Sequence, residues 1–164
     1  MLNIFKTVVW GQFGASLDML ENAIEQCPNK IWGDKAGFQE YWYMTYHTLF
    51  FLDYFMSEKE EGFEPLSPYT LSELDPAGLF PDRVYNKGEL LTYLKFGRNK
   101  AKARIDGLTE KTLFVRCRFK RPELTVAELM LYTMRHVQHH AAQLNLLLRQ
   151  KTNSAPNWVG KGKN

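Results

Sequence analysis

Cysteine is scarce in this sequence, with only Cys27 and Cys117 among 164 residues. Two thiols give no disulfide framework, and neither sits in a Cys-x-x-Cys or Cys-His spacing, so both read as small buried hydrophobes of a reducing compartment. Long apolar runs are missing too. The opening MLNIFKTVVWGQF interleaves polar with apolar residues and contains neither a signal-peptide core nor a bilayer-spanning run, so the expectation is a cytoplasmic protein with no membrane association. Charge of one sign is not in excess. Against 18 acidic residues stand 21 basic ones, a net charge of +3, too weak a field to expect a nucleic-acid partner. Internal repeats and low-complexity segments are absent.

What the chain does have is 45% hydrophobic content, enough for one domain with one filled core. Four stretches carry helical periodicity. The first runs from about Leu2 to Gln26, with Phe5, Val9, Phe13, Leu20 and Ala23 on one face, and stops at Cys27-Pro28, because proline disfavours helix in the residue before it. The second, from about Phe38 to Met56, gathers Tyr43, His47, Phe50, Phe51 and Tyr54 in a narrow arc. A third opens at the Asn86/Glu89 capping box and ends at Asp106 before Gly107. The fourth opens at the Thr125/Glu128 capping box and reaches about Gln150. Residues 1–151 form the expected domain, with 152–164 as a loosely ordered tail.

The connections suggest a topology. Short links favour antiparallel neighbours, whereas the segment from Ser57 to Tyr85, with four prolines and an acidic cluster, is long enough to return the chain for a parallel helix. The expectation is an all-α protein, a four-helix bundle with a long crossover between its second and third helices. Between the third and fourth helices, the alternating middle of TEKTLFVRCRFKRPEL suggests a short extended piece.

Three of the four histidines lie in MRHVQHHAAQLNLLLRQ, residues 134–150. At roughly 100° per residue, His136 and His140 fall on the same stripe as Leu129, Thr133, Gln143, Leu144 and Leu147, while His139 lies about 80° off it. His47 sits at similar depth on the second helix. Two inward imidazoles four residues apart, joined by a third from a facing helix, suit a divalent zinc, nickel or iron ion. Three ligands are also the protein share of a catalytic site rather than of a closed structural one. His139 reads instead as a flank residue, a hydrogen-bond donor to a ligand, or a dimer contact.

Around these three, Tyr43 and Tyr54 could present hydroxyls, and Glu40, two turns before His47, is the carboxylate best placed to act as base, extra ligand or solvated helix-start residue. Gly97 and Ala101 either leave room for a small-molecule substrate or let helices pack closely. Arg98 and Arg104 flank the inner face of the third helix and could anchor an anionic substrate. They belong to a basic stretch from Lys95 to Arg121 that otherwise reads as a solvated face.

YHTLFFLDYF in the second helix and HVQHHAAQLNLLLRQ in the fourth resemble the signature helices of the DinB/YfiT-like superfamily, in order and spacing along the whole chain. The resemblance implies an up-down-down-up bundle, often a homodimer, with metal ligands at His47, His136 and His140 and the family glutamine at Gln143. One departure is His140-Ala141-Ala142-Gln143, where relatives often carry His-Arg-Gly-Gln. The superfamily contains metal-dependent hydrolases, S-transferases that use a low-molecular-weight thiol, and stress-response proteins. The expected function is therefore activation of water or a small thiol by the bound ion. The alternative is a non-catalytic metal-binding protein with a structural ion.

Overall fold

The computed structural model describes residues 1–34, 40–120 and 123–163. The helix start expected near Phe38, and Arg121, fall outside the described residues. Among the described residues there are six helices and no strand. α1 spans Leu2–Gln26, α2 Asn29–Trp32, α3 Tyr41–Phe55, α4 Lys87–Asp106, α5 Glu110–Leu113 and α6 Val126–Thr152, so the four expected helices are α1, α3, α4 and α6. None of the helices is long and apolar enough to cross a membrane.

Local chemistry sets the helix ends. Asn86 Oδ1 accepts from Glu89 N at 3.0 Å while the Glu89 carboxylate accepts from Asn86 N at 2.8 Å, and Thr125 and Glu128 repeat the exchange at the start of α6. α6 runs two residues beyond Gln150, to a left-handed Asn153 with φ 57°. The helical turn of α5 was not anticipated. Its signal is present in Thr109 and Thr112, which form a third capping box. The extended piece that follows forms only isolated bridges, Arg116 with Thr125 and Lys59 with Arg118.

The four long helices pack in a ring, α1 against α4 and α6, and α3 against the same two. Leu17, Leu20, Leu49, Phe50, Leu90, Leu129 and Leu144 are fully buried between them. Gly97 is a packing residue: a Cβ there would lie 2.7 Å from Leu52 Cδ2, so its absence lets α4 close on α3. The crossover between α3 and α4 is tied down by buried tyrosines. Tyr69 stacks on Tyr93 at 4.0 Å and donates to Glu89 O, and Tyr46 donates to Thr70 O at 3.0 Å.

The tail departs from the expectation of a loosely held segment. Gly162 N donates to Gly11 O at 2.8 Å and Lys163 N to Asp18 Oδ2 at 3.1 Å, which explains why α1 is buried on every side from Phe13 to Leu20. Gly11 and Gly14 could be read in the sequence, but nothing periodic in the tail says that it lies on them. A Cβ on Gly162 would come within 2.6 Å of the Gly14 and Ala15 backbone, and backbone cannot yield as a side chain can. Gly162→Ala should therefore detach the tail, costing about 1 kcal/mol in lost hydrogen bonds. Limited proteolysis should show faster cleavage after Asn157, and an unchanged cleavage rate would contradict the packing.

Candidate metal centre

α3 and α6 face each other with His47, His136 and His140 at one level. Ring centroids lie 5.4 Å apart for His47 and His136, 5.0 Å for His47 and His140, and 4.6 Å for His136 and His140. One nitrogen from each ring can be chosen so that all three lie within 4.8 Å of one another, a grouping that one ion can share. No other His, Cys, Asp or Glu among the described residues joins this group.

Hydrogen bonds on the far side of two rings fix which nitrogen faces inward. His47 Nδ1–H donates to Glu73 Oε2 at 2.6 Å, and His140 Nδ1–H donates to Gln143 Oε1 at 2.7 Å. Both rings thereby keep an Nε2 lone pair, as metal-binding imidazoles do when a carboxylate or carbonyl holds the other nitrogen. His140 Nε2 and His136 Nε2 face each other at 3.2 Å, and the buried His136 Nδ1 has no partner among the described residues. The donor set fits a cation. Without an ion, His136 Nε2–H donates to the His140 Nε2 lone pair across that distance; with one, His136 can carry its proton on Nδ1 and turn its own Nε2 lone pair inward beside the other two.

Burial, and then the neighbouring imidazoles, push the pKa of His136 from 6.5 down to about 3 and that of His140 down to about 4. Both are neutral at pH 7, the form in which imidazole binds metal. An acid-sensitive stability follows for the metal-free chain. Between the unfolded value of 6.5 and these folded values, the unfolded chain binds more protons, so stability is lost as pH falls through that window. The slope is at most about 1.4 kcal/mol per pH unit for each histidine. Urea unfolding in chelator from pH 6.5 to 4.5 should show it, and His136→Leu should flatten it. An identical slope in that variant would remove His136 as a cause.

Glu73 is the residue that sequence reasoning missed. It lies in the 3-10 turn Leu71–Leu74 of the crossover and its side chain is only 3% exposed. Glu40, the expected carboxylate, instead flanks the start of α3, where its Oε2 accepts from Trp42 Nε1. Tyr43 lies one turn before His47, its hydroxyl pKa pushed up by burial and by the Glu73 carboxylate, and its ring meets Phe80 at 4.6 Å. Phe51 stands edge-on to both His47 and His136 and walls one side of the site. His139 is exposed and touches only the outer side of the cluster, 5.1 Å from the His140 ring.

Three candidates are engaged elsewhere. Tyr54 donates to Glu60 Oε2 at 3.2 Å and packs on Phe63 and Phe119. Arg98 holds Asp18 at 2.8 Å and Glu21 at 2.9 Å. Arg104 lines a separate cavity near the ends of α3 and α4. Much of the basic stretch is likewise neutralised locally: Lys100 pairs with Asp53, Lys102 with Asp106 and Arg116 with Glu123.

No curated protein and no solved structure gives a significant match to the chain. A family model of the DinB superfamily matches residues 12–144, a span that begins within α1 and takes in all three histidines. That span covers most of the sequence, and the chain belongs to the DinB superfamily.

Proposed function

We propose that this protein is a metal-dependent enzyme, a hydrolase or a low-molecular-weight-thiol S-transferase, whose divalent ion is held by His47, His136 and His140 in an up-down-down-up four-helix bundle. The observation that carries the reading is the convergence of three imidazoles in a site that stays open to solvent, with the His47 side chain 28% exposed. A structural ion is normally closed off by four protein ligands, whereas a catalytic one keeps an open position. Zinc, nickel and iron all suit such a nitrogen set. Once bound, the ion supplies a Lewis acid that acidifies water or a small thiol.

The chain's own residues prepare that chemistry. Glu73 and Gln143 hold two rings in one tautomer, so neither His47 nor His140 has to move its proton on binding. Phe51 shields one flank and concentrates the field of whatever charge the histidines hold. Tyr43, one turn before His47, keeps its proton, because burial and Glu73 oppose its ionisation, and so offers a hydroxyl donor rather than a phenolate. We further propose a homodimer, supported by Ile4 and Val8, which lie exposed one turn apart on α1. Sedimentation as a monomer at micromolar concentration would refute the dimer.

The test is elemental analysis of natively purified protein, joined to a panel of thiol-transfer, ester and amide substrates with and without chelator. Turnover that vanishes with chelator and returns with added metal is the expected result. Activity surviving complete metal removal overturns the proposal. Stoichiometric metal without turnover on any substrate would return the chain to the non-catalytic, stress-response reading.

A further inference from the structure

The cavity lined by Arg104 has a volume of about 720 Å³ and shares no residue with the histidine cluster. It begins at Met56, nine residues beyond His47 and thus roughly 13 Å along α3 at the helical rise. Its floor is apolar, with Met56, Leu108, Val115 and Val126, and its cationic lining is Lys100, Arg104, Arg116 and Arg118 against the single carboxylate Glu58.

Arg104 is the unusual member. A cation in the last turn of α4 offsets the helix dipole, but that role needs only a solvated head at the surface. This side chain is 21% exposed, and its nearest carboxylate is Glu58, 3.9 Å away and itself 83% exposed. Its Nε–H is buried with no acceptor among the described residues. A guanidinium desolvated to this degree and so loosely paired is short of an anion. The other charges narrow the choice. Lys100 is bound to Asp53 and Arg116 to Glu123, while Arg118 has no ion-pair partner among the described residues, which leaves charge for one negative group rather than two.

We propose that this cavity binds a small organic monoanion, an apolar body bearing one carboxylate, with Arg104 and Arg118 holding the carboxylate and the Met56, Leu108, Val115 and Val126 floor holding the body. Its volume falls within the range of small-molecule sites, and an apolar floor with a few convergent polar groups is their usual composition. Nothing in the argument requires the metal, so the site stands or falls separately from the histidines.

Octanoate, octan-1-ol and inorganic phosphate, titrated calorimetrically into the full chain with metal present and after chelation, separate the contributions. Octanoate should bind saturably at a single site, about tenfold more tightly than either the uncharged alcohol or phosphate, with or without metal. Arg104→Met and Arg118→Gln should each weaken octanoate about tenfold and leave octan-1-ol unchanged, while His136→Ala changes neither. Arg118 is exposed, so its variant tests the proposal even if Arg104→Met does not fold. Octanoate that binds no better than octan-1-ol or phosphate overturns the assignment, as does binding insensitive to both arginine variants. Binding lost in His136→Ala would place the anion at the histidines and overturn it equally.

Discussion

His136→Ala, His47→Ala and His140→Ala should each strip the protein of most of its divalent metal, while His139→Ala retains it. Four-ligand zinc sites in small peptides are worth roughly 10–16 kcal/mol, so one ligand's share is about 3 kcal/mol, or about a hundredfold in affinity. His139 is the internal control: it neighbours His140 in sequence and its ring lies 5.1 Å from that of His140, yet it is exposed and outside the converging group. Glu73→Gln belongs in the same titration. The amide can still meet His47 Nδ1 but no longer offers a full negative charge, and loss of such a partner typically costs about 10–100-fold in metal affinity. Competition with a chromophoric chelator measures all five variants. Loss of metal on His139→Ala with retention on His140→Ala would reverse the ligand assignment, and full affinity in Glu73→Gln would reduce that carboxylate to a bystander.

Those ligand candidates could be read before any coordinates because the information that places them is local. Proline at 28 and the two capping boxes at Asn86 and Thr125 mark helix ends through bonds made within four residues, and a helix of known start fixes the facing of every later side chain. His136, His140 and Gln143 follow from that count alone. Glu73 does not, because it sits in an aperiodic crossover whose path is decided by where Tyr69, Tyr85 and Leu66 find partners on other elements. Arg98 and Arg104 show the same limit: periodicity put both beside the inner face of α4, yet one is held by α1 carboxylates and the other turns into a cavity at the end of the helix. The tail on Gly11 and Gly14 is a further case of pairing between distant segments. One signal was available and passed over: Asp53 is a carboxylate in the otherwise apolar run FFLDYF, and a charge on a core-facing stretch is rarely there without a partner.

Breaking that partnership should cause the largest loss of stability among single substitutions distant from the histidines. Asp53 is fully buried, and its carboxylate accepts from Lys100 Nζ, from the Tyr93 hydroxyl at 2.9 Å and from Leu66 N at 3.3 Å. Lys100 Nζ also donates to Asp53 O at 2.9 Å and Ser57 Oγ at 2.8 Å, so one ion pair joins α3, α4 and the crossover. Removing one partner of a buried pair leaves the other charge without compensation, which costs about 3–5 kcal/mol. Asp53→Ala should therefore lower the urea midpoint by that equivalent, and Lys100→Met by a comparable amount, somewhat less because the lysine side chain is 26% exposed. Together they should cost less than the sum, since the double variant leaves no orphaned charge in the core. Strictly additive losses would mean that the two residues act independently and that the pair does not organise the crossover. The same cycle reaches the metal centre: Leu66 and Glu73 lie on one connection, so releasing Leu66 N from Asp53 frees the segment that carries Glu73 to His47. Asp53→Ala should then weaken metal binding about as much as Glu73→Gln does, although Asp53 touches none of the three histidines. Metal affinity unchanged in an Asp53→Ala protein that is still folded would show that the 3-10 turn holds Glu73 in place without this anchor.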